Sequence, residues 1–149
     1  GGSSNHAGPF KQVMKSPEIP EGTNVVGVGI DQIEVSRIRD SLEKHGDHFL
    51  KKIFSENEQS YCKDKADPAP CLAARFAAKE AVAKAFGTGF GKEFGRLDSE
   101  IIHGDAGEPI LSFNPRATEL LKSKGAEKAL VSLSHLEAVA SAIVILVSR

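Results

Sequence analysis

The chain has 149 residues and a formal net charge of −1, which allows one domain with its own core and argues against general nucleic-acid binding. Hydrophobic residues make up 40% and charged residues 26% of the sequence, and no apolar run is long enough to cross a membrane. Cys62 and Cys71 lack CxxC spacing and no signal peptide is visible, so we expect reduced cysteines in a cytoplasmic protein.

Residues 1–23 differ in kind from the rest of the chain. The first ten residues, GGSSNHAGPF, look like the remnant of a tag, and the later stretch SPEIPEG is rich in proline and glutamate. We therefore expect a flexible arm over 1–23 and a single folded domain over 24–149.

The first predicted strand runs from Asn24 to Ile30 and is rich in valine and isoleucine, with two glycines. Asp31 falls at its expected end, where an aspartate is either the N-cap of the next helix or a site residue. The helix that follows is expected to stop at Gly46. Its apolar residues have helical spacing and are Ile33, Val35, Ile38 and Leu42.

Two shorter helices are predicted next. Asp47 can cap the first, and the sequence Ser55-Glu56-Asn57-Glu58 fits a capping box that starts the second at residue 56. This helix should end before the loop at 66–70, which contains two prolines. Pro70 can then open a long helix as its first residue.

The long helix is apolar on every side apart from four charged residues. A helix of this kind is normally buried, so its charges need partners: one another, a metal, a ligand or a neighbouring subunit. Glu80 and Lys84 lie one turn apart on one face, which suits a metal-bound phosphate. Gly87 and Gly89 follow, where the backbone can approach a ligand closely. The four charged residues are Arg75, Lys79, Glu80 and Lys84.

The second half of the chain is predicted to alternate between strands and one helix. A polar loop over 91–96 leads to two strands, Leu97–His103 and Pro109–Phe113, around a turn. A helix starts at Asn114-Pro115 and stops at Gly125. The last hairpin consists of Lys128–His135 and Val139–Val147. The order βαααα–ββ–α–ββ indicates a mixed α+β domain.

Four segments resemble the holo-acyl-carrier-protein synthase family, the small phosphopantetheinyl transferases. They are GIDQIEVSRI (29–38), FSENEQSYC (54–62), RFAAKEAVAKAFGTG (75–89) and ALVSLSHLEAVASAIVI (129–145). The resemblance covers about residues 24–148. It implies an antiparallel sheet packed on the long buried helix, and a homotrimer with an active site between adjacent subunits. It also implies a role in fatty acid biosynthesis: transfer of 4′-phosphopantetheine from coenzyme A to a serine of apo-acyl carrier protein, which releases 3′,5′-ADP.

The resemblance assigns the chemistry to three residues. Asp31 and Glu80 are expected to hold Mg²⁺, which favours oxygen ligands and keeps several waters. Lys84 adds positive charge near the leaving group, because this chemistry depends on positioning and charge neutralisation. Glu80 either takes the serine proton or only binds the metal.

Further residues are expected to bind the substrates. The family pattern puts Arg75 near the nucleotide end of coenzyme A, where the alternative for this residue is a structural salt bridge. His135 is expected to contact a coenzyme A phosphate, and Gly87 and Gly89 to approach the same ligand. Arg37, beside other basic residues, is expected to dock an acidic helix of the carrier protein.

Three questions stay open at this point. Lys79 has either a packing role between subunits or a ligand role. The alanine side of the long helix and the apolar last strands supply either subunit contacts or core packing. Two other functions would use the same residues: a magnesium-dependent phosphohydrolase, which needs no protein acceptor, and a coenzyme A or nucleotide binding module without catalysis.

Overall fold

The computed structural model describes residues 17–149, so the greater part of the predicted arm, residues 1–16, lies outside the described residues. Within the described range, five strands and five helices follow one another in the predicted order. The strands are β1 (Asn24–Glu34), β2 (Ser99–His103), β3 (Pro109–Phe113), β4 (Lys128–His135) and β5 (Val139–Ser148). The helices are α1 (Val35–His45), α2 (Asp47–Ile53), α3 (Glu56–Lys63), α4 (Pro68–Phe86) and α5 (Pro115–Ser123).

The main sheet is antiparallel, with β5 between β1 and β4, and α4 packs across one of its faces. Two glycines in β1 make this close packing possible. A Cβ atom built on Gly29 would overlap the carbonyl oxygen of Ala81, and one on Gly27 would lie 2.8 Å from the carbonyl oxygen of Ala85. The glycines therefore let the backbone of the strand approach the backbone of the helix.

Helix α4 is the centre of the core. Most of its alanines are buried within a single chain, and Ala73, Ala77 and Ala81 are 0% exposed, so core packing accounts for the alanine side and subunit contacts do not. The helix begins at Pro68 rather than at Pro70, because the side chain of Asp67 accepts a hydrogen bond from the Ala69 N–H and caps it earlier.

Asp31 does not end the first strand. The pairing of β1 with β5 continues to Glu34, and Asp31 lies opposite Ala142 within it. The prediction of a strand end and of an N-cap at Asp31 was therefore wrong, and Ile33 belongs to the strand rather than to α1. Pairing with β5 extends β1 beyond Asp31, the point at which the local sequence suggested that the strand ends.

Several local predictions are confirmed. Ser55 and Glu58 form the predicted capping box of α3, and Asn114 caps α5. Gly46 follows the last turn of α1 as predicted. Strand β2 starts later than predicted, because the side chain of Asp98 accepts a hydrogen bond from the Gly95 N–H and holds a turn there.

The cysteines contradict the expectation of free thiols. Cys62, near the end of α3, and Cys71, in the first turns of α4, form a disulfide with Cα atoms 5.5 Å apart. The two cysteines are nine positions apart in sequence, a spacing that matches no redox motif, so their proximity follows from the packing of the two helices.

The outer face of the main sheet, opposite α4, exposes apolar side chains. Val26, Val28 and Ile30 of β1 alternate with the two glycines and are 43%, 55% and 61% exposed. This outer face of β1 is a candidate contact surface.

Between residues 17 and 149, no helix is both long enough and apolar enough to cross a membrane.

Candidate active site

The strand β1 and the helix α4 bring two of the predicted catalytic residues together. The Lys84 ammonium donates to Asp31 Oδ1 at 2.8 Å and to the Ile30 carbonyl oxygen at 3.2 Å. The hydrogen bond to the Asp31 carboxylate raises the pKa of Lys84 above its ordinary value, and the nearby charge of Glu80 acts in the same direction. Lys84 is therefore a protonated cation beside the carboxylate.

Glu80, one turn before Lys84, has a partner that the sequence did not indicate. Arg96, in the loop before β2, donates from Nη1 to Glu80 Oε1 at 2.9 Å. The guanidinium carbon of Arg96 also lies 4.2 Å from the ring centre of Phe90 and 5.3 Å from that of Phe76. These rings hold the arginine against the carboxylate.

The donor atoms around Asp31 and Glu80 fit a hard cation such as Mg²⁺. Each carboxylate uses one oxygen for its cationic partner, and within residues 17–149 the second oxygens, Asp31 Oδ2 and Glu80 Oε2, have no hydrogen-bond partner. No group of three or more His, Cys, Asp or Glu in that range could hold a metal unaided. Two carboxylates suffice for Mg²⁺ when water and substrate phosphates complete its shell.

Lys79 has neither of the two roles that its sequence position suggested. Its ammonium is 1% exposed, pairs with Glu58 Oε1 at 2.9 Å, and donates to the carbonyl oxygens of Arg96 at 2.9 Å and Ser99 at 2.5 Å. Burial lowers the pKa of Lys79, and the Glu58 carboxylate opposes that shift. Lys79 is a core residue that fixes the loop carrying Arg96.

A second group of charged residues surrounds a cavity of about 510 Å³ on another side of α4. We call it the arginine pocket, because Arg75 is the arginine that lines it. Its walls are Tyr61, Lys65, Asp67, Pro70, Cys71, Arg75, His135, Leu136 and Glu137. Three basic residues line this cavity, and one of its two carboxylates, Asp67, is already paired with Arg39, which makes the cavity suitable for an anionic ligand.

Arg75 does not form the structural salt bridge that was the alternative to ligand binding. No carboxylate among residues 17–149 pairs with it; instead it donates to the Cys71 carbonyl oxygen at 3.2 Å and contacts His103 Nε2 at 2.7 Å. Burial lowers the pKa of Arg75, and Tyr61 and Glu58 partly offset this shift. Its Nε atom is buried without a hydrogen-bond partner in the described chain.

His135, at the end of β4, lines the same pocket. Partial burial lowers the pKa of His135 below its ordinary value, and the positive charges of Arg75 and Lys65 lower it further. The imidazole is therefore poised to gain a proton when an anion neutralises those charges.

The carboxylate pair and the arginine pocket lie on different sides of α4. Arg75 precedes Glu80 by five residues, which is about 140° around the helix and about 7.5 Å along it. Consequently Asp31, Glu80 and Lys84 form one group, and Arg75 and His135 form another.

The remaining predicted site residues lie outside both groups. Gly87 ends α4 in the left-handed conformation with φ of 77°, and Gly89 has φ of 65°, which non-glycine residues rarely adopt. Both line a cavity of about 350 Å³ together with Lys92 and Lys124. Arg37 is exposed on α1.

Sequence reasoning missed four residues around these groups. Arg96 and His103 are separated from their partners on α4 by 16 and 28 residues, so no local pattern connects them. The capping box that precedes Tyr61 and Lys65 is recognisable in the sequence. The role of their side chains depends on how α3 packs against α4, which no local pattern shows. The one signal in the sequence was the glycine-rich polar loop before β2, which carries Arg96, because functional residues often lie on loops.

Comparison with known proteins places this fold and site in one class. The sequence pattern of the 4′-phosphopantetheinyl transferase superfamily matches residues 27–141. A holo-[acyl-carrier-protein] synthase of Chlamydia trachomatis is 50% identical over 119 residues, which cover 80% of this chain and 97% of that protein.

Solved structures support the same assignment of the fold. The holo-[acyl-carrier-protein] synthase of Neisseria meningitidis superposes with a TM-score of 0.77 at 30% identity, covering 85% of this chain and all 100% of that one. The enzyme of Helicobacter pylori, solved in complex with coenzyme A, gives a TM-score of 0.71 at 31% identity and covers 81% and 99% of the two chains. The chain belongs to the 4′-phosphopantetheinyl transferase superfamily, in its holo-[acyl-carrier-protein] synthase family. The predicted family and α+β fold are confirmed.

Proposed function

We propose that this chain transfers the 4′-phosphopantetheine group of coenzyme A to a serine of apo-acyl carrier protein, as a step that equips the carrier for fatty acid biosynthesis. The observation that carries the proposal is the ion pair of Lys84 with Asp31 at the contact of β1 with α4, with Glu80 near enough for its charge to act on Lys84, within a chain of this family. The products are the phosphopantetheinyl serine and 3′,5′-ADP.

The reaction breaks the bond between the bridging oxygen of the pyrophosphate and the phosphorus next to pantetheine, and forms a bond from the serine oxygen to that phosphorus. Negative charge then develops on the bridging oxygen of the departing 3′,5′-ADP. Lys84 is the cation that stabilises this charge, because its Nζ atom lies at the carboxylate group and its side chain is 56% exposed.

Mg²⁺, which we propose Asp31 and Glu80 hold through their oxygens, would neutralise charge on the pyrophosphate. Glu80 has a second task in the proposal, which is to receive the serine proton directly or through water. Arg96 orients the Glu80 carboxylate for either task, since it donates to one oxygen and leaves the other free.

The nucleotide end of coenzyme A binds in the arginine pocket in this proposal. Arg75 and His135 supply donors to phosphate, and Lys65 supplies a third positive charge at the same cavity. Gly87 and Gly89 line the neighbouring cavity, where their unhindered backbone can approach the pantetheine side of the ligand.

The positions of the two groups support a site shared between chains. One coenzyme A molecule has to contact both the carboxylate pair and the arginine pocket, yet these lie on different sides of one helix. Two chains, each contributing one group, would solve this geometry. We therefore propose a cyclic homotrimer with three equivalent sites, and the apolar outer face of β1 supports such an assembly.

The docking surface for the carrier protein is proposed on α1 and α2. Arg37 is exposed there, as are Lys44, Lys51 and Lys52. Arg39, by contrast, is engaged by Asp67 in a bidentate pair at 2.9 and 3.0 Å. If Arg37 contacts an acidic helix, Arg37→Ala should raise the KM for the carrier and leave the KM for coenzyme A unchanged.

We also propose a cytoplasmic location on the basis of the family.

One experiment separates the three candidate functions. The protein is incubated with coenzyme A, Mg²⁺ and an apo-acyl carrier protein, and the carrier is weighed by mass spectrometry. Transfer adds about 340 Da, the mass of the phosphopantetheinyl group. Breakdown of coenzyme A without a carrier would instead identify a phosphohydrolase, and binding without either reaction would identify a binding module.

A further inference from the structure

His103 holds the guanidinium of Arg75 in place by accepting a hydrogen bond. The two atoms, His103 Nε2 and Arg75 Nη2, are 2.7 Å apart. An arginine nitrogen always donates, so Nε2 must carry the lone pair rather than the proton. The other ring nitrogen, Nδ1, lies 3.2 Å from the Gly107 carbonyl oxygen, which can only accept. Both contacts thus require the same neutral tautomer, with its proton on Nδ1.

Aromatic contacts fix the remaining freedom of this pair. The ring of His103 stacks on the ring of Tyr61 with centroids 4.0 Å apart and planes inclined by 17°. Arg75 lies against the same ring, with its guanidinium carbon 4.6 Å from the ring centre. Tyr61 comes from α3, Arg75 from α4 and His103 from β2, so three elements determine one orientation.

The partner of Arg75 is neutral, and this matters for its charge. A buried arginine usually pairs with a carboxylate, which satisfies its donors and also cancels its charge. Here a neutral imidazole and the Cys71 carbonyl oxygen satisfy donors without adding a negative charge. Arg75 is 4% exposed, and its unpaired Nε–H still needs an acceptor. The arrangement keeps the cation rigid and leaves its charge for an anion in the pocket.

We propose that His103 is the positioning residue of Arg75: it fixes the guanidinium, as a neutral acceptor, in the orientation that binds a phosphate group of coenzyme A. This inference rests on the proposed function for the identity of the ligand. His103 itself is not among the residues that line the pocket, so we expect it to act on the ligand only through Arg75.

Three substitutions at this position separate orientation from charge. His103→Gln keeps a neutral acceptor, His103→Leu removes the acceptor, and His103→Glu supplies an acceptor with a negative charge. Calorimetry measures the Kd of coenzyme A for each. We expect His103→Gln to stay within about threefold of the parent and His103→Leu to weaken binding about tenfold, the scale of one hydrogen bond to a charged group. His103→Glu should weaken binding at least as much, because it neutralises Arg75.

Kinetic measurements with a carrier protein distinguish a positioning role of His103 from a purely structural one. The KM for coenzyme A should rise in His103→Leu while kcat at saturating coenzyme A stays within about twofold. His48→Leu, which removes an exposed histidine from α2, is the matched control and should leave the Kd unchanged. If His103→Leu does not fold, the contrast between His103→Gln and His103→Glu decides the question.

Two results would overturn the proposal: equal affinities for the Gln and Glu variants, or a Leu variant that binds coenzyme A as tightly as the parent. Dephospho-coenzyme A shows which phosphate is held, since the effect of His103→Leu disappears with this ligand if the 3′-phosphate is bound and persists if the pyrophosphate is. Either result sustains the positioning role. The binding measurements do not depend on transfer to a carrier, so failure of the proposed function, seen as no mass gain, stays distinguishable from failure of this inference.

Discussion

At the scale of single residues, three of the four charges on α4 fall into two kinds, and Arg75, which is buried with neutral partners, belongs to neither. Lys79 is closed off in the core, with Glu58 and two carbonyl oxygens as its partners. Glu80 and Lys84 are each tied to only one charged side chain and face solvent in part. The second kind can exchange its partner for a ligand at low cost, whereas the first cannot.

The carboxylate pair gives the first prediction. Asp31→Asn and Glu80→Gln should keep the fold and lower metal-dependent transfer at least about 100-fold each, the scale of losing one positioned charged group. Because the metal site is itself a proposal, binding of Mn²⁺ should be followed in parallel by electron paramagnetic resonance. Both variants should bind Mn²⁺ more weakly, while Asp105→Asn, in the exposed turn after β2, serves as the control.

Normal transfer by either variant at saturating Mg²⁺ would remove that residue from the site. Unchanged Mn²⁺ binding with lost transfer would leave the residue in the chemistry and exclude it as a ligand.

His135 gives a prediction about pH. Burial and the charges of Arg75 and Lys65 lower its pKa in the free protein. A bound phosphate would raise that pKa again, so binding takes up a proton. The resulting gain in affinity is fully present below the free-state pKa of His135 and is lost as pH rises through its pKa in the complex.

The measurement is the Kd of coenzyme A between pH 8 and about pH 5.5, the range in which histidines titrate. Relative to His135→Gln, the parent should bind more tightly as the pH falls. Parallel profiles for the two proteins would show that His135 takes up no proton on binding.

At the scale of elements, the sequence was informative about several local signals. The capping box at Ser55, the cap at Asn114 and the helix stop at Gly46 each depend on a few adjacent residues, and each is observed. Asp31 was misplaced because the extent of β1 depends on pairing with β5, more than 100 residues away in sequence, as its contact with Ala142 shows.

The candidate site followed the same rule. The composition of α4 predicted that its four charged residues need partners, and each of them has one. The identity of the partners was not predictable, because they come from a helix, a loop and strands that meet α4 only in the folded chain. The disulfide was missed for this reason as well, since it depends on how α3 approaches α4.

The pair of Glu58 and Lys79 joins three elements and should dominate local stability. Lys79→Met leaves the Glu58 carboxylate buried without its cation, so we expect a loss of about 3–5 kcal/mol in the free energy of unfolding. Urea denaturation measures this loss. The double variant with Glu58→Gln should lose less than the sum of the two single losses, because neither charge is then left alone.

The exposed pair of Lys122 and Glu119, 3.9 Å apart on α5, provides the control, and Lys122→Met should cause no measurable change. A Lys79→Met variant as stable as the parent would show that this buried pair contributes nothing net.

At the scale of the whole molecule, the remaining question is assembly. Light scattering at micromolar concentration should give three times the chain mass of 15.9 kDa. Val28→Lys places a charge on the apolar outer face of β1 and should yield a folded monomer with greatly reduced transfer. Ile102→Lys alters an exposed apolar residue on β2, 38% exposed against 55% for Val28, and should leave the trimer intact.

A stable monomer of the parent chain with full specific activity would contradict the shared site and leave the chemistry of Asp31, Glu80 and Lys84 untouched. A trimer that persists in Val28→Lys would show that a different surface joins the subunits.

The position of Tyr61 has a practical consequence. The sequence contains one tyrosine and no tryptophan, so emission excited in the tyrosine absorption band, where phenylalanine does not absorb, comes from a single side chain. That side chain stacks on His103, lies against Arg75 and immediately precedes the disulfide at Cys62. The molecule thus carries an unlabelled optical reporter in the wall of its arginine pocket. Titration with coenzyme A or with a thiol reductant should change this emission, and each change would report on that one locality.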